Sequence, residues 1–329
     1  MDNTIFAQCI ARIKVLETKM LDRAKIETLL EAKDFNEAKR ILQDSVYGDY
    51  INMPSYEDGL KKALEDFYRE IVKICPVVEV VDVFRTKYDA HNIKTLIKNK
   101  FLQRDLDNIL IDAGTIELSK LKEIFKDENL RDLNVIFKEA VFKAIDEYNS
   151  NKNPQDIDII IDSAMFQRQL EIAKESKINF IRDYIELLID VYNIRTFIRA
   201  KEQNREREFL SKVLIKGGKI DFDVFKNNFI EDIENFSNKI FHTEHFKWLK
   251  EGIEEYLKTK DLGSIEKMAD NYLISVLKNS KFISFGAEPV VAYIYAKENE
   301  IKVLRIILTG KKNGVSADTI RERLRDIYV

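Results

Sequence analysis

A nine-residue basic pattern with helical spacing occurs twice in this chain. Residues 92–100 read Asn-Ile-Lys-Thr-Leu-Ile-Lys-Asn-Lys, and residues 193–201 read Asn-Ile-Arg-Thr-Phe-Ile-Arg-Ala-Lys. A shorter third copy, Glu-Ile-Lys-Val-Leu-Arg, occupies residues 300–305. Repetition of this kind indicates one supersecondary unit that is used several times along a chain. The sequence therefore predicts three related helical units.

The composition favours an all-α protein. Hydrophobic residues make up 45% and charged residues 34% of the 329 residues, with only 10 Gly and 4 Pro. This balance is typical of packed amphipathic helices. The net charge of -3 gives no overall basic field, so we expect no nucleic-acid partner.

The same sequence gives expectations about compartment and membrane. The longest apolar stretches, such as residues 289–296, are far shorter than the roughly 20 residues that span a bilayer, so we expect no direct membrane span. Two cysteines are too few for a disulfide framework, and no secretory signal is visible. We therefore expect a cytoplasmic protein that meets a membrane only through a partner.

Apolar spacing predicts the helices that lead into the basic copies. Residues 178–192 place apolar side chains at steps of three and four, which form one stripe. The valine-rich residues 77–84 before the first copy favour a strand by propensity. The repeat argues for a helix there instead, beginning at Pro76, and for a third helix that Pro289 opens.

A glycine-containing turn follows each basic copy. The turns lie at residues 113–116, 217–220 and 313–315. Glycine is the usual residue just beyond a helix end, so we predict that each turn ends one helix and starts another.

The third unit is shorter than the first two, because the chain ends at Val329 soon after its turn. Apolar positions of residues 30–47 align with those of residues 125–142 in the first unit. We therefore expect the amino-terminal helices to complete the third unit and to close a ring of three. The predicted division is 1–55 for the completing helices, then 56–152, 153–260 and 261–329 for the three units.

No arrangement of residues points to catalysis. His242 and His245 stand three apart and could share a helix face, but no third metal ligand is evident. The acidic residues 231–234 are typical of a solvated helix start, and the glycine–lysine segments 217–219 and 310–314 lack the spacing of a phosphate loop. We expect no catalytic residue, no metal and no cofactor.

The positive side chains of the three copies are the candidate partner-binding residues. They are Lys94, Lys98, Arg195, Arg199, Lys302 and Arg305. One interpretation is that they are solvated faces of amphipathic helices. The other is that related helices direct these charges towards a common axis, where they steer an acidic or helical partner. Both interpretations are open at this stage.

The carboxyl-terminal part of the chain resembles a known family. Residues 285–305 read Phe-Gly-Ala-Glu-Pro-Val-Val-Ala-Tyr-Ile-Tyr-Ala-Lys-Glu-Asn-Glu-Ile-Lys-Val-Leu-Arg, and the likeness continues through Gly314 and residues 320–329. This stretch is similar to the signature of the C subunits of V/A-type ATPases, a family of central-stalk proteins whose eukaryotic members are called d subunits.

The resemblance implies an all-helical, funnel-shaped protein of three similar domains around a pseudo-three-fold axis. It also implies one non-catalytic copy per complex, without a cofactor, placed on the cytoplasmic side. Such a protein joins the central shaft, made of the D and F subunits, to the membrane rotor ring and transmits torque. Proton and sodium coupling, ATP synthesis and hydrolysis, and any ring copy number are all compatible with these residues.

Two alternatives from other classes are also open. A free-standing helical adaptor or peptide-binding scaffold would display a concave surface for extended peptides. An all-helical enzyme of unrecognised type would be expected to carry a bound metal when purified.

Overall fold

The computed structural model describes residues 2–240 and 247–326, and within these ranges the chain forms helices and no strand. The predicted all-α class is confirmed. No described helix is both long enough and apolar enough to cross a membrane. The α-helices are α1 (Ala7–Glu17), α2 (Arg23–Glu31), α3 (Phe35–Gln43), α4 (Gly48–Ile51), α5 (Tyr56–Ile74), α6 (Glu79–Leu102), α7 (Leu118–Lys126), α8 (Val135–Asn151), α9 (Pro154–Ser176), α10 (Asn179–Glu202), α11 (Arg207–Val213), α12 (Phe222–Asn227), α13 (Ile233–Ile240), α14 (Lys247–Thr259), α15 (Leu262–Lys278), α16 (Glu288–Lys312) and α17 (Ala317–Arg323).

Internal contacts divide the chain into two compact units. Unit 1 is the continuous stretch Val77–Phe236. Unit 2 combines Asp2–Pro76 with Ser237–Val329, so it brings together an early and a late part of the chain. The predicted boundaries at residues 55, 152 and 260 stay a prediction, and so does the three-fold arrangement.

Unit 1 is organised around α9, which packs against α6, α8 and α10. One apolar cluster of this unit joins buried side chains of α6, α7, α8 and α9. Members include Ile93, Ile97, Leu121, Phe137, Val141, Ile157 and Ile161. The stripe predicted over residues 178–192 lies in α10, where Ile181 and Ile185 are fully buried.

The valine-rich stretch before the first basic copy is helical, as the repeat predicts. The helix α6 begins at Glu79, however, and Pro76 does not open it. Cys75 ends α5 in an extended conformation with φ -80° and ψ 124°, as is usual for a residue before proline. The first main-chain hydrogen bonds that lead into α6 run from the Val80 N–H to the Val77 carbonyl and from the Val81 N–H to the Val78 carbonyl, so the helix starts beyond Pro76. Pro289, by contrast, stands in the first turn of α16, as predicted.

Unit 2 is organised around α16. The helices α1, α3, α5 and α15 all pack against it. Buried side chains occur along the whole length of α16, including Val291, Ile294, Ile301 and Leu308, while Lys302 and Arg305 are exposed on one face. The wide apolar surface of this helix faces the core of the unit. The amino-terminal helices therefore share one hydrophobic core with the last long helix.

Candidate functional site

Two side chains on α6, Asp89 just before the basic copy and Asn92 at its start, hold the following loop. Asp89 accepts hydrogen bonds from the N–H of Thr115 at 3.0 Å and from the N–H of Ile116 at 3.1 Å. The Thr115 hydroxyl adds a third bond at 2.6 Å. One turn later, the Asn92 amide donates to the Ile111 carbonyl at 2.7 Å and accepts from its N–H at 2.9 Å. The loop after α6 is thus fixed to the helix through its own main chain.

The copy on α10 repeats this arrangement. Asp190 accepts hydrogen bonds from the N–H groups of Lys219 at 2.9 Å and Ile220 at 3.1 Å. Asn193 exchanges two bonds with the main chain of Ile215, both at 2.8 Å. The first Asn of the repeated pattern therefore has one structural task in both copies, which is to bind the backbone of the segment that follows its helix.

In the third copy, on α16, Glu300 takes the place of that Asn. Its carboxylate accepts a hydrogen bond from the Leu21 N–H at 2.5 Å and another from the Tyr47 hydroxyl at 2.5 Å. Lys297 forms an ion pair with the same carboxylate at 2.8 Å. The helix α16 thus binds the backbone of the amino-terminal segment. The helices α6 and α10 instead bind the backbone of the segment that follows each of them.

The first two glycine turns serve a close approach and do not end helices. A Cβ on Gly114 would lie 2.2 Å from an Asp89 carboxylate oxygen, and a Cβ on Gly218 would lie 2.1 Å from one of Asp190. The helices before them already end at residues 102 and 202. The predicted helix-ending role is wrong for these two turns, because the Asp side chains need room for the loop backbone. Gly314, with φ +66°, does follow directly after the end of its helix.

The two Asp side chains have unusual titration behaviour. Burial raises the pKa of Asp89 to about 6, although the hydrogen bonds from Thr115 and Ile116 act in the opposite direction. Burial likewise raises the pKa of Asp190 to about 6, against the bonds from the backbone of Ile220 and Lys219. A carboxyl removed from water favours its neutral form unless its partners compensate fully.

Two cations of the first copy, Lys94 and Lys98, form ion pairs with α9. Lys94 Nζ lies 2.6 Å from Asp162 Oδ1, and Lys98 Nζ lies 2.6 Å from Asp158 Oδ1. The Lys94 and Lys98 side chains are 22% and 24% exposed. The lysine stems are thus largely covered, while their charges are balanced by carboxylates one turn apart on α9.

The residue just before the second copy, Tyr192, lies near the same acidic stripe. Burial, followed by the negative charge of Asp162, raises the pKa of Tyr192 on α10, and Arg199 acts in the opposite direction. Arg195 is half-buried and Arg199 is exposed, both on α10. The Asp158 and Asp162 carboxylates therefore act electrostatically on α6 and on α10 within unit 1.

The cations of the third copy are also paired, within unit 2. Lys302 Nζ lies 2.7 Å from Asp270 Oδ2 on α15, which Arg325 also contacts at 3.1 Å. Arg305 Nε lies 2.9 Å from Glu57 on α5. Lys94, Lys98, Lys302 and Arg305 thus each have an internal carboxylate partner, so these charges are already balanced before any partner protein binds.

Unit 2 contains a cleft that sequence reasoning missed. It has a volume of about 1030 Å³ and is bordered by residues of α14, α15, α16 and α17. Its wall carries charges of both signs, from Lys267, Arg305, Arg323 and Arg325 and from Glu255, Asp261 and Glu322, while Met268, Ile306 and Ile320 contribute apolar surface. The sequence does contain a signal for this cleft. Polar residues recur every four positions, at 305, 309 and 313, and residues four apart lie on the same face of a helix.

The histidine pair considered for metal binding, His242 and His245, lies outside the described residues. Within the part of the chain that the structure describes, no group of three or more His, Cys, Asp or Glu side chains is placed to hold a metal ion. The acidic residues 231–234 include Asp232, which accepts from the Asn235 N–H at 2.7 Å. That bond caps the start of α13, in line with the helix-start interpretation.

Comparison with known proteins gives matches over almost the whole chain. The model of the ATP synthase (C/AC39) subunit family matches residues 9–323. The chain is 25% identical to the C subunit of the V-type sodium ATPase of Enterococcus hirae over 319 residues, which cover 96% of this chain and 97% of that protein. It is 29% identical to the C subunit of the A-type ATP synthase of Methanocaldococcus jannaschii over 345 residues, covering 97% and 86% of the two chains.

A further relative is the C subunit of the A-type ATP synthase of Pyrococcus furiosus. It is 26% identical over 337 residues, which cover 96% of this chain and 88% of that protein. The resemblance predicted from residues 285–305 is confirmed by these matches. Since the family model extends from residue 9 to residue 323, this protein belongs to the ATP synthase (C/AC39) subunit family.

Proposed function

We propose that this chain is the non-catalytic rotor subunit of a V/A-type rotary ATPase. In this role one copy joins the central shaft, made of D and F subunits, to the membrane rotor ring and transmits torque between them. It is held at the cytoplasmic face of the membrane through the complex. The observation that carries the proposal is the family match over residues 9–323, together with relatives that are themselves matched along nearly their full length.

The way the long helices are fixed supports a torque-bearing role. A part that transmits torque must resist bending, and close-packed interiors have low compressibility. In this chain each of the three long helices that carry a basic copy also binds the main chain of another segment, through Asn92, Asn193 and Glu300. These bonds couple the segments to the helices, so a force on a loop passes directly to the core.

The ion-paired cations support a reversible contact. We propose that Lys94, Lys98, Arg195, Arg199, Lys302 and Arg305 take part in binding the shaft or the ring. A partner carboxylate would replace an internal one, such as Asp162 at Lys94. Replacing one partly exposed ion pair by another changes the free energy of the system little, since each such pair contributes about 0 to 1 kcal/mol. The charges would therefore orient the partner without making its binding permanent.

The cleft in unit 2 supports the proposal that the shaft binds there. Its wall combines apolar Met268 and Ile306 with the charged Lys267 and Arg305. A helix end of the shaft with apolar side chains and charges of both signs would match both parts of this wall. Interfaces of mixed character release more readily than wholly apolar ones, which resemble a divided protein core.

A binding experiment with matched variants tests this function. The purified chain is mixed with the D and F shaft complex and, separately, with the solubilised rotor ring of the same organism, and complexes are measured by light scattering after gel filtration. We expect one copy in each complex. The Ile306→Glu variant should lose shaft binding, while Val135→Glu, which changes an exposed residue outside the cleft, should keep it.

The opposite results would favour the alternative function. A chain that binds neither the shaft nor the ring, but binds extended peptides, would be a free-standing helical adaptor. Loss of shaft binding by both Glu variants to the same degree would remove the cleft from the proposal and leave the family assignment intact.

A further inference from the structure

Unit 2 contains a second, smaller cavity, with a volume of about 240 Å³. It is lined by residues of α1, α5 and α16, and by α4 and the segment that leads into it. On α16 it uses Tyr293 and Lys297, whereas the cleft described above uses this helix from Arg305 onward. The two sites are therefore distinct, and the proposed rotary function does not use this cavity.

The cavity already holds one cation of the chain itself. Lys297 Nζ lies 4.4 Å from the centre of the Tyr47 ring and 2.8 Å from the Glu300 carboxylate. The Lys297 side chain is only 13% exposed, so its ammonium group is largely removed from water. An aromatic ring attracts a cation, and the attraction is strongest where water is excluded. This part of the lining thus stabilises a positive charge.

Two further aromatic rings of the lining have no cation over them among the described residues. They belong to Tyr50 and Phe67. The Tyr50 hydroxyl donates to the Asp66 carboxylate at 3.2 Å, which fixes this ring at the wall. Phe67 packs edge to face on Tyr293, with 5.7 Å between the ring centroids. The cavity therefore has fixed aromatic surface that is open to a second cation.

The hydroxyl of Tyr293 is a polar group without a hydrogen-bond partner in the described part of the chain. The residue is 4% exposed, yet its hydroxyl is not one of the unpartnered polar atoms that are fully enclosed. The hydroxyl therefore opens to the cavity that its side chain lines. Burial raises the pKa of this hydroxyl, and the negative charges of Glu70, Glu300 and Glu17 raise it further. These charges favour a cationic ligand over an anionic one.

Glu70 supplies a carboxylate that is open to such a ligand. The other acidic residue of the lining, Asp66, is already paired with Lys62 at 2.6 Å and with Arg69 at 3.0 Å. Glu70 and Lys19 are both exposed, and neither has an ion-pair partner among the residues that the structure describes. An anion bound beside Lys19 would be repelled by the three carboxylates that act on the tyrosine hydroxyl, so the arrangement favours a cation.

We propose that this cavity binds the guanidinium group of an arginine side chain from a partner protein. The group would lie against the rings of Tyr50 and Phe67 and donate to the Glu70 carboxylate and the Tyr293 hydroxyl oxygen. Guanidinium is planar, stacks on aromatic surface and has five donors, so it can satisfy both acceptors at once. Most small-molecule pockets have volumes of about 300 to 1,000 Å³, so this smaller cavity suits a single side chain.

The test uses the full chain and N-acetyl-arginine amide as the probe, with binding measured by saturation-transfer NMR at low salt. The matched probe is N-acetyl-citrulline amide, which has nearly the same shape and no charge. We expect the arginine probe to bind in the millimolar range, as its size allows, and the citrulline probe to bind about tenfold more weakly.

Three variants locate the bound probe. Glu70→Gln should weaken binding about fivefold, and Tyr293→Phe, which keeps the ring, about threefold. Glu254→Gln, which changes an exposed residue of α14 outside the cavity, should leave binding unchanged. The midpoint of thermal unfolding should be that of the natural chain in Glu70→Gln and Glu254→Gln, so a loss of binding there is not a loss of fold.

Other results would overturn the proposal. Equal binding of the arginine and citrulline probes, or no binding of the arginine probe at its solubility limit, would show that the cavity does not recognise guanidinium. An equal loss for Glu70→Gln and Glu254→Gln would place the probe on the surface in general. Binding of free agmatine without binding of the arginine probe would identify a small amine as the ligand in place of a protein side chain. Stronger binding of N-acetyl-aspartate amide would show an anion site.

Discussion

Glu300 binds the main chain of Leu21, and this bond joins an early and a late part of the chain inside unit 2. The Glu300 carboxylate lies 2.5 Å from the Leu21 nitrogen, and its second oxygen lies 2.5 Å from the Tyr47 hydroxyl. Both hydrogen bonds are buried, and both donors belong to the amino-terminal segment. The contacts of α16 therefore depend on residues that are distant in sequence.

The first prediction concerns this carboxylate. Glu300→Ala leaves two buried donors without an acceptor, and each such loss costs about 1 to 3 kcal/mol. We expect the free energy of unfolding in urea to fall by roughly 2 to 5 kcal/mol. Glu300→Gln keeps an amide oxygen as acceptor and should lose less than half of that. A loss below about 0.5 kcal/mol for Glu300→Ala would contradict the structural role of this residue.

The second prediction concerns the glycines beside the two Asp side chains. Gly218→Ala places a Cβ 2.1 Å from the Asp190 carboxylate, so the loop must move and its hydrogen bonds weaken. We expect a fall of roughly 2 kcal/mol or more in the free energy of unfolding, and the same for Gly114→Ala. Gly252→Ala, in α14, meets its nearest atom at 3.5 Å and is the matched control.

That control should be neutral or stabilising by up to about 1 kcal/mol, because alanine favours the helix over glycine. Thermal unfolding of the three variants side by side measures the difference. If Gly218→Ala and Gly252→Ala changed the stability of the chain equally, the close approach of Gly218 to Asp190 would contribute nothing to that stability.

The third prediction is a pH dependence of stability. The pKa of Asp89 is about 6 in the folded chain, above the ordinary value of 3.8. Between these values the folded state holds more protons than the unfolded state, so stability falls as pH rises from about 4 to about 6. Above about pH 7 both states are ionised, and this group adds no further slope.

Asp89→Asn removes that titration and leaves the other carboxyl groups in place. The difference in unfolding free energy between the natural chain and the variant should therefore change by roughly 2 to 2.5 kcal/mol between about pH 4 and about pH 7, with the natural chain losing stability as pH rises. Asp190→Asn should behave alike, because its pKa is also about 6. A difference that is constant over this range would refute the raised pKa values.

The fourth prediction separates folding from partner binding at Lys94. Lys94→Glu puts two carboxylates at the place of the 2.6 Å ion pair with Asp162, so it should both destabilise unit 1 and weaken partner binding. The double variant Lys94→Glu with Asp162→Lys restores an ion pair with reversed direction. Its stability should return to within about 1 kcal/mol of the natural chain.

Partner binding should not return in that double variant if the shaft or ring contacts Lys94. Its affinity should stay about tenfold weaker at low salt and approach that of the natural chain at high salt, because salt screens exposed charges. Full recovery of binding with recovery of stability would show that Lys94 serves only the contact with α9.

Sequence reasoning predicts the helices correctly but assigns some residues the wrong task. The spacing of apolar side chains is enough to predict α10, and the repeat correctly overrules the strand propensity of residues 77–84. The start of α6 lies at Glu79, beyond the proline that is expected to open it. Gly114 and Gly218 resemble helix ends in the sequence, since the Asp side chains that approach them are about 25 positions away.

The charges show the same limit. The six cations can be predicted as one set because they recur in three copies of a pattern. Their carboxylate partners, such as Asp162 for Lys94 and Asp270 for Lys302, lie on other helices and follow no pattern that the copies share. Pairing of this kind is decided by packing, which a single sequence does not show.

The most direct test of the rotor function uses membranes from cells that lack this chain. The quantity measured is the ATPase activity, together with the amount of catalytic sector, that stays on washed membranes with and without the purified protein added back. If this chain joins the shaft to the ring, retention should be lost without it and restored by its addition, and the Ile306→Glu variant should fail to restore it. Full retention of activity and catalytic sector without the chain would contradict the account.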